Sequence, residues 1–162
     1  MHRVRQFAAH VTARVTSEEA GNARRILPPA AFDLFAAMPV ADRRHALDVV
    51  AHLVASGRDD PELLCAALLH DAAKGHRLRL WHRVAGVLLD AVAPSALERL
   101  ARDDSRSWRY PFHLYLHHAA LSAGAARAAG CSARTAAFIR NEAALPADAP
   151  LLAALHAADE AS

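Results

Sequence analysis

Residues Asp60 to Asp71, DPELLCAALLHD, constrain the fold of this chain more than any other stretch. Asp60 before Pro61 is a helix start. Its carboxylate can accept the first free N–H groups, the proline lacks an N–H where none is needed, and Glu62 suits the positive end of the helix. From Leu63 to Leu69 the segment then presents no polar face at all. A helix that is apolar all round has to lie in the middle of a fold, so the rest of the chain must supply its walls.

The punctuation elsewhere predicts more helices. Thr16 and Glu19 form a capping-box pattern for a segment that stops before Pro28-Pro29. A short apolar helix spans Ala30 to Met38. Asp42 is expected to cap the next, in which Ala46, Val49, Val50 and Leu53 recur at helical spacing until Gly57. The central helix is expected to run from Pro61 to Gly75. Further helices are predicted over Leu78 to Val92, Ser95 to Ala101, Phe112 to Ala129, Ser132 to Ala143 and Ala149 to Ala161, with a polar loop from Arg102 to Tyr110. Ahead of them Val4, Phe7, Ala8, Val11 and Val15 fall on one face of a first helix, and Leu80, Trp81, Val84 and Val87 read as ordinary packing. Alanine, the best helix former, fills about a quarter of the positions, while Thr and Ile are scarce. The expected fold is all-α, a single helical domain over residues 1–162.

A net charge of +2 gives no basis for a nucleic-acid or anionic membrane partner, and no apolar run is long enough to span a bilayer. Cys65 and Cys131 form no C-x-x-C pair, and Cys65 sits in the apolar run as a small core residue. A reducing, cytoplasmic setting is therefore expected.

His70-Asp71 is the chemical centre of the sequence. Two potential metal ligands at the end of a buried apolar helix are costly unless something satisfies them, and the negative end of the helix favours a cation there. His45 lies on the preceding helix. Asp159 lies on the last, in an apolar run with Leu151, Leu152, Leu155 and Ala158 where an unpaired carboxylate has little other reason to be. Lys74 follows Asp71 by three residues, on nearly the same face, and is the one lysine among 19 basic residues. His52, two turns from His45 on the same face, and His156, one turn before Asp159, read mostly as ordinary polar residues, the alternative being that they support those ligands by hydrogen bonding. The loop RDDSRSWRY brings Arg102, Arg106, Arg109 and Trp108 together, either as a solvated connector or as a place to hold a phosphate and stack a base.

In these motifs the chain resembles the HD-domain superfamily of metal-dependent phosphohydrolases. RRHALDVVAHL, LLCAALLHDAAKG and LLAALHAADEA match that family's His, His-Asp and distant Asp in order and helical placement, over about three-quarters of the chain, roughly Asp42 to Glu160. The resemblance implies an HD-type helical bundle with the N-terminal helices packed on it. It implies one divalent ion (Mn, Fe, Co, Ni, Zn or Mg) held by His45, His70, Asp71 and Asp159, with Lys74 beside the phosphate. HHAALSAGAARAAG, from His117 to Gly130, is similar to a family stretch in which a histidine serves a second metal or the phosphate. Here Asn141-Glu142 stands where those relatives have a further His, and Ser122 where they have Gly. The resemblance thus implies hydrolysis of a small phosphate ester, a nucleotide as the expected partner, with Asp71, Lys74 and His118 catalytic and Lys74, His117, His118 and Arg44 on the substrate. The rival expectation is a catalytically degenerate, metal-stabilised module that binds a nucleotide or a protein.

Overall fold

The computed structural model describes residues 14–162. Among them it is all-helical, with nine α-helices, a short 3-10 turn and no strand. The helices are α1 (Ser17–Ile26), α2 (Pro29–Ala37), α3 (Val40–Ala55), α4 (Pro61–Leu69), α5 (Leu80–Val92), α6 (Pro94–Leu100), α7 (Tyr110–Ala128), α8 (Ala133–Ile139) and α9 (Ala149–Ala161). The predicted first helix lies largely outside the described residues; Val15 packs against the core. No helix of the described residues is long and apolar enough to cross a membrane.

The all-apolar helix α4 is the axis of the bundle. Every residue from Leu63 to Leu69 is buried, and α1, α2, α3, α7, α8 and α9 all pack against it. Leu63, Leu68 and Leu69 are wholly out of solvent, each burial contributing roughly 1.5–3 kcal/mol. The Cys65 and Cys131 sulfurs meet at 3.8 Å in this core, and burial pushes the Cys65 thiol up to about 12, so it stays a neutral packing group.

Local signals explain most of the boundaries. Thr16 and Glu19 make the expected capping box on α1. α3 closes at Gly57, whose φ of 73° lets the Arg58 N–H turn back to the Leu53 carbonyl at 2.9 Å. Three boundaries differ from expectation. Asp42 lies inside α3, not at its cap, because Pro39 precedes the helix, and the freed carboxylate goes to Arg83. α4 stops at Leu69, and the chain from His70 to Gly75 continues as tight turns instead of helix, with the Ala72 N–H on Leu69 O and the Lys74 N–H on Asp71 O. α8 stops at Ile139 because Asn141 takes the left-handed conformation (φ 61°) and the Glu142 N–H closes on the Ala137 carbonyl at 2.9 Å.

Helices α5 and α6 pack on each other and on α7. The approach of α5 to α7 is closest at Gly86, where a Cβ would lie 2.8 Å from ring carbons of Tyr115. The expectation that Trp81, Val84 and Val87 are ordinary packing is corrected here. They face outward, each more than half exposed, because α5 covers the end of the bundle with one side only.

A charged knot fixes the start of the axis helix. The Asp60 carboxylate caps α4 by accepting the Glu62 and Leu63 N–H groups at 3.0 Å each. Arg134, from the start of α8, donates to Asp60 at 2.8 Å, to Glu62 at 2.8 Å and to the buried Asp148 at 2.9 Å. Its guanidinium also sits 4.9 Å from the Phe138 ring centroid. A hydrogen bond from the Ser132 side chain, then Arg134, holds Glu62 below its usual range. Burial pushes Asp60 up, but the Arg134 hydrogen bond and the capped N–H groups outweigh it and lower the carboxyl. Arg134→Met keeps the aliphatic packing and leaves Asp148 with the Leu145 N–H as its remaining partner. The expected cost is about 2–4 kcal/mol in urea unfolding at neutral pH. Because the folded carboxyls titrate below their unfolded values, their contribution is complete above about pH 5 and is lost as the pH falls through the folded values. The gap between wild type and variant should therefore narrow in acid; a gap that widens would show that the knot is not what Arg134 supports.

Candidate metal centre

Helices α3, α4 and α9 bring His45, His70 and Asp159 together, and Asp71 lies beside His70 outside that group of three. His45 projects from α3 and Asp159 from the last turn of α9, and both helices pack on α4, whose end carries His70 and Asp71. His45 Nε2 lies 2.8 Å from Asp159 Oδ1, and His70 Nε2 lies 3.4 Å from the same oxygen. Asp71 Oδ2 is 3.7 Å from His70 Nε2. One ligand atom from each of His45, His70 and Asp159 falls within 4.8 Å of the others.

The backbone sets the direction of these groups. His70 Nδ1 donates to the Ala67 carbonyl at 2.9 Å, which leaves the Nε2 lone pair facing the cleft. The turn after Asp71 is pinned by Ser122, a fully buried residue of α7 whose hydroxyl accepts the Ala73 N–H at 3.0 Å. Lys74 Nζ donates to Asp71 Oδ2 at 2.7 Å. Two buried atoms have no partner here: His70 Nε2 and Asp71 Oδ1.

Those orphaned atoms test whether the residues suit a cation, and they do. A buried lone pair on nitrogen and a buried carboxylate oxygen on successive residues are each costly without an electrophile to satisfy them. Two imidazoles and two carboxylates form a donor set for a first-row divalent ion. The electrostatics agree. Burial pushes Asp71 up, but His70 and Lys74 outweigh it and hold the carboxyl at about 2. Burial likewise opposes ionisation of Asp159, and the hydrogen bond with His45, together with the neighbouring His70 imidazole, lowers it well below the usual range. Both carboxyls therefore present anions at neutral pH.

The other predicted residues separate. His118 donates through Nδ1 to the Tyr115 carbonyl at 2.9 Å and turns Nε2 to within 3.9 Å of Asp71 Oδ1. His117, expected on the substrate, is exposed and lies against His113, with centroids 4.5 Å apart and planes tilted by 45°, because its neighbour takes the inward face of α7. Arg44 lines the cleft, yet its guanidinium is shared by Glu19 and Asp48, so it ties α1 to α3 instead of standing free for substrate. His156 bonds to Asn141 Oδ1 at 2.7 Å and not to Asp159. His52 engages the Asp48 carbonyl and Ser162 Oγ, each at 3.0 Å.

Sequence reading passed over Arg83. From α5 it grips the buried Asp42 with one guanidinium nitrogen, at 2.8 and 3.1 Å from the two carboxylate oxygens, and forms part of the cleft wall. Nothing distinguishes it from the neighbouring arginines in sequence. Ser122 was visible as a departure from the family pattern, but its bond to Ala73 is a long-range contact that spacing does not reveal.

A divalent ion at about 100 times its dissociation constant should stabilise the fold by about 2.7 kcal/mol, roughly 5–10 °C in Tm. Differential scanning fluorimetry with Mn, Co, Ni or Zn checks this. His70→Ala should abolish the shift and His156→Ala should keep it; an undiminished shift in His70→Ala would remove His70 from the ligand set.

No family model, no curated protein and no solved structure matches this chain, so the reading of its function starts from the geometry above.

Proposed function

We propose that the chain is a metal-dependent phosphohydrolase of the HD type, acting on a small phosphate ester with a nucleotide as its substrate class. One observation carries the reading: Asp71, whose Oδ1 is orphaned and whose Oδ2 holds the Lys74 ammonium, lines one solvent-reached cleft with His45 and Asp159, and His70 with its orphaned Nε2 stands directly behind them. A purely structural metal site needs no phosphate-facing cation.

His45, His70, Asp71 and Asp159 would hold the ion. A divalent ion supplies a more acidic water and a polarised phosphoryl group. The chain's own residues do the rest. Lys74 Nζ stands at the cleft wall, where its charge offsets negative charge developing on the phosphoryl oxygens. Asp71 positions that ammonium through Oδ2 and keeps Oδ1 for the ion. His118, with Nδ1 fixed on a carbonyl, offers Nε2 as an acceptor for a proton released by water in the same space. Hydrolysis places the water hydroxyl on phosphorus, breaks the ester P–O bond and returns a proton to the departing oxygen.

A metal-stabilised binding module is the second reading, and one observation favours it. Asn141 and Glu142, where relatives of this type carry a further His, are engaged with His156 and Arg140. That arrangement supports one ion per chain.

Lys74→Ala separates the two. It removes a charge and no ligand, so folding and metal content should survive while turnover falls about 10- to 1000-fold. Asp71→Ala should lose both metal and activity. A wild type that binds metal and hydrolyses no nucleotide with Mn, Co, Ni or Mg supplied would replace the enzyme reading with the module.

A further inference from the structure

The metal-centre cleft encloses about 230 Å³, room for a phosphate group and little more. Sites for molecules of nucleotide size or larger run to roughly 300–1,000 Å³. The cleft does not end there. A hollow of about 160 Å³ shares Asp42 and Arg83 with it, and this hollow in turn shares His76 and Arg79 with a third, of about 460 Å³. The outer hollow is walled by Arg77, Arg79, Trp81, Arg106 and Trp108.

Its chemistry is unlike the rest of the surface. Trp81 and Trp108, the two tryptophans of the chain, are both here and are 55% and 69% exposed. Trp81 rests one face on His82, with ring centroids 3.6 Å apart and planes at 30°. His82 is itself buried, its Nδ1 accepting the Arg79 N–H at 3.2 Å, and Phe112 stands edge-on to the indole. Trp81 is therefore a braced indole with its other face turned outward. Around it Arg77, Arg79 and Arg106 have no carboxylate within ion-pairing distance among the described residues, as holds for most of the described arginines; what sets the hollow apart is their convergence on two indoles. Flat aromatic faces beside uncompensated guanidinium groups select a ligand that is both planar and anionic.

We propose that the Trp81–Trp108 hollow is a base-binding subsite, which holds the nucleobase of a nucleotide whose phosphate end reaches towards the metal centre past Arg79 and the Arg83–Asp42 pair. The link to hydrolysis rests on the phosphohydrolase reading; the base-binding site stands on its own geometry. Arg77, Arg79 and Arg106 take the charge nearest the base, and the tryptophans take its faces.

Because both tryptophans line the hollow, intrinsic fluorescence reports its occupancy without any turnover. Adenosine 5′-monophosphate should quench the protein as purified in a saturable way, and ribose 5-phosphate and inorganic phosphate should not. Arg106→Ala and Trp108→Leu should each weaken the apparent affinity for the nucleotide roughly 5- to 100-fold, with Trp81 the remaining reporter in the latter. Quenching that persists in a protein that hydrolyses nothing supports the subsite and sinks the phosphohydrolase reading. Hydrolysis of nucleotides with equal quenching by ribose 5-phosphate, or with affinity unmoved in both variants, overturns the subsite and leaves the hydrolase. Fluorescence that changes with protein concentration and not with nucleotide assigns the face to a second copy of the chain and overturns the subsite too.

Discussion

Asp71 lies almost wholly out of water with one oxygen on Lys74 and the other on no protein group, at the foot of the helix that the whole bundle surrounds. Burying a carboxylate is tolerable only where cations converge on it. The surrounding structure is organised to that end. Ser122 holds the turn, the Ala67 carbonyl aims His70, and α3 and α9 are laid against α4 so that His45 and Asp159 meet there. The apolar sides of α4 supply the stabilisation that carries this polar end.

The axis of the fold was legible because its signals are local. A cap, a proline and an acid start α4, and an unbroken apolar run leaves it no surface position. The convergence of His45, His70 and Asp159 was legible for a related reason: a histidine or aspartate inside an amphipathic run declares which face it shares. Where the structure departs from the sequence pattern, either a partner distant in sequence or a permitted but unforced backbone conformation decided the outcome. Asp42 gave up its expected capping role for an arginine 41 residues on. Asn141 ended α8 through a left-handed backbone that Asn tolerates but does not demand. The ion pair of Arg44 with a carboxylate 25 residues before it was equally invisible in spacing.

The outward face of α5 shows a different limit. Periodicity says that Trp81, Val84 and Val87 share a side with each other, and it cannot say whether that side meets protein or water. Here the helix caps one end of the bundle and spends its contacts on α6 and α7. Its apolar stripe is therefore left to whatever approaches from outside, while Arg83, on the same helix, reaches inward to Asp42.

The absence of a side chain at Gly86 has a mechanical meaning. Tyr115 lies flat against that backbone with no room for a methyl group, so α5 has its separation from α7 set by direct contact. Trp81 and Arg83 ride on the same rigid rod, one towards the outer hollow and the other towards the metal-centre cleft. The distance between those two stations is thus gauged by a single missing carbon atom. A bulkier residue at that point would act as a wedge, tilting the rod and changing the separation of the two stations.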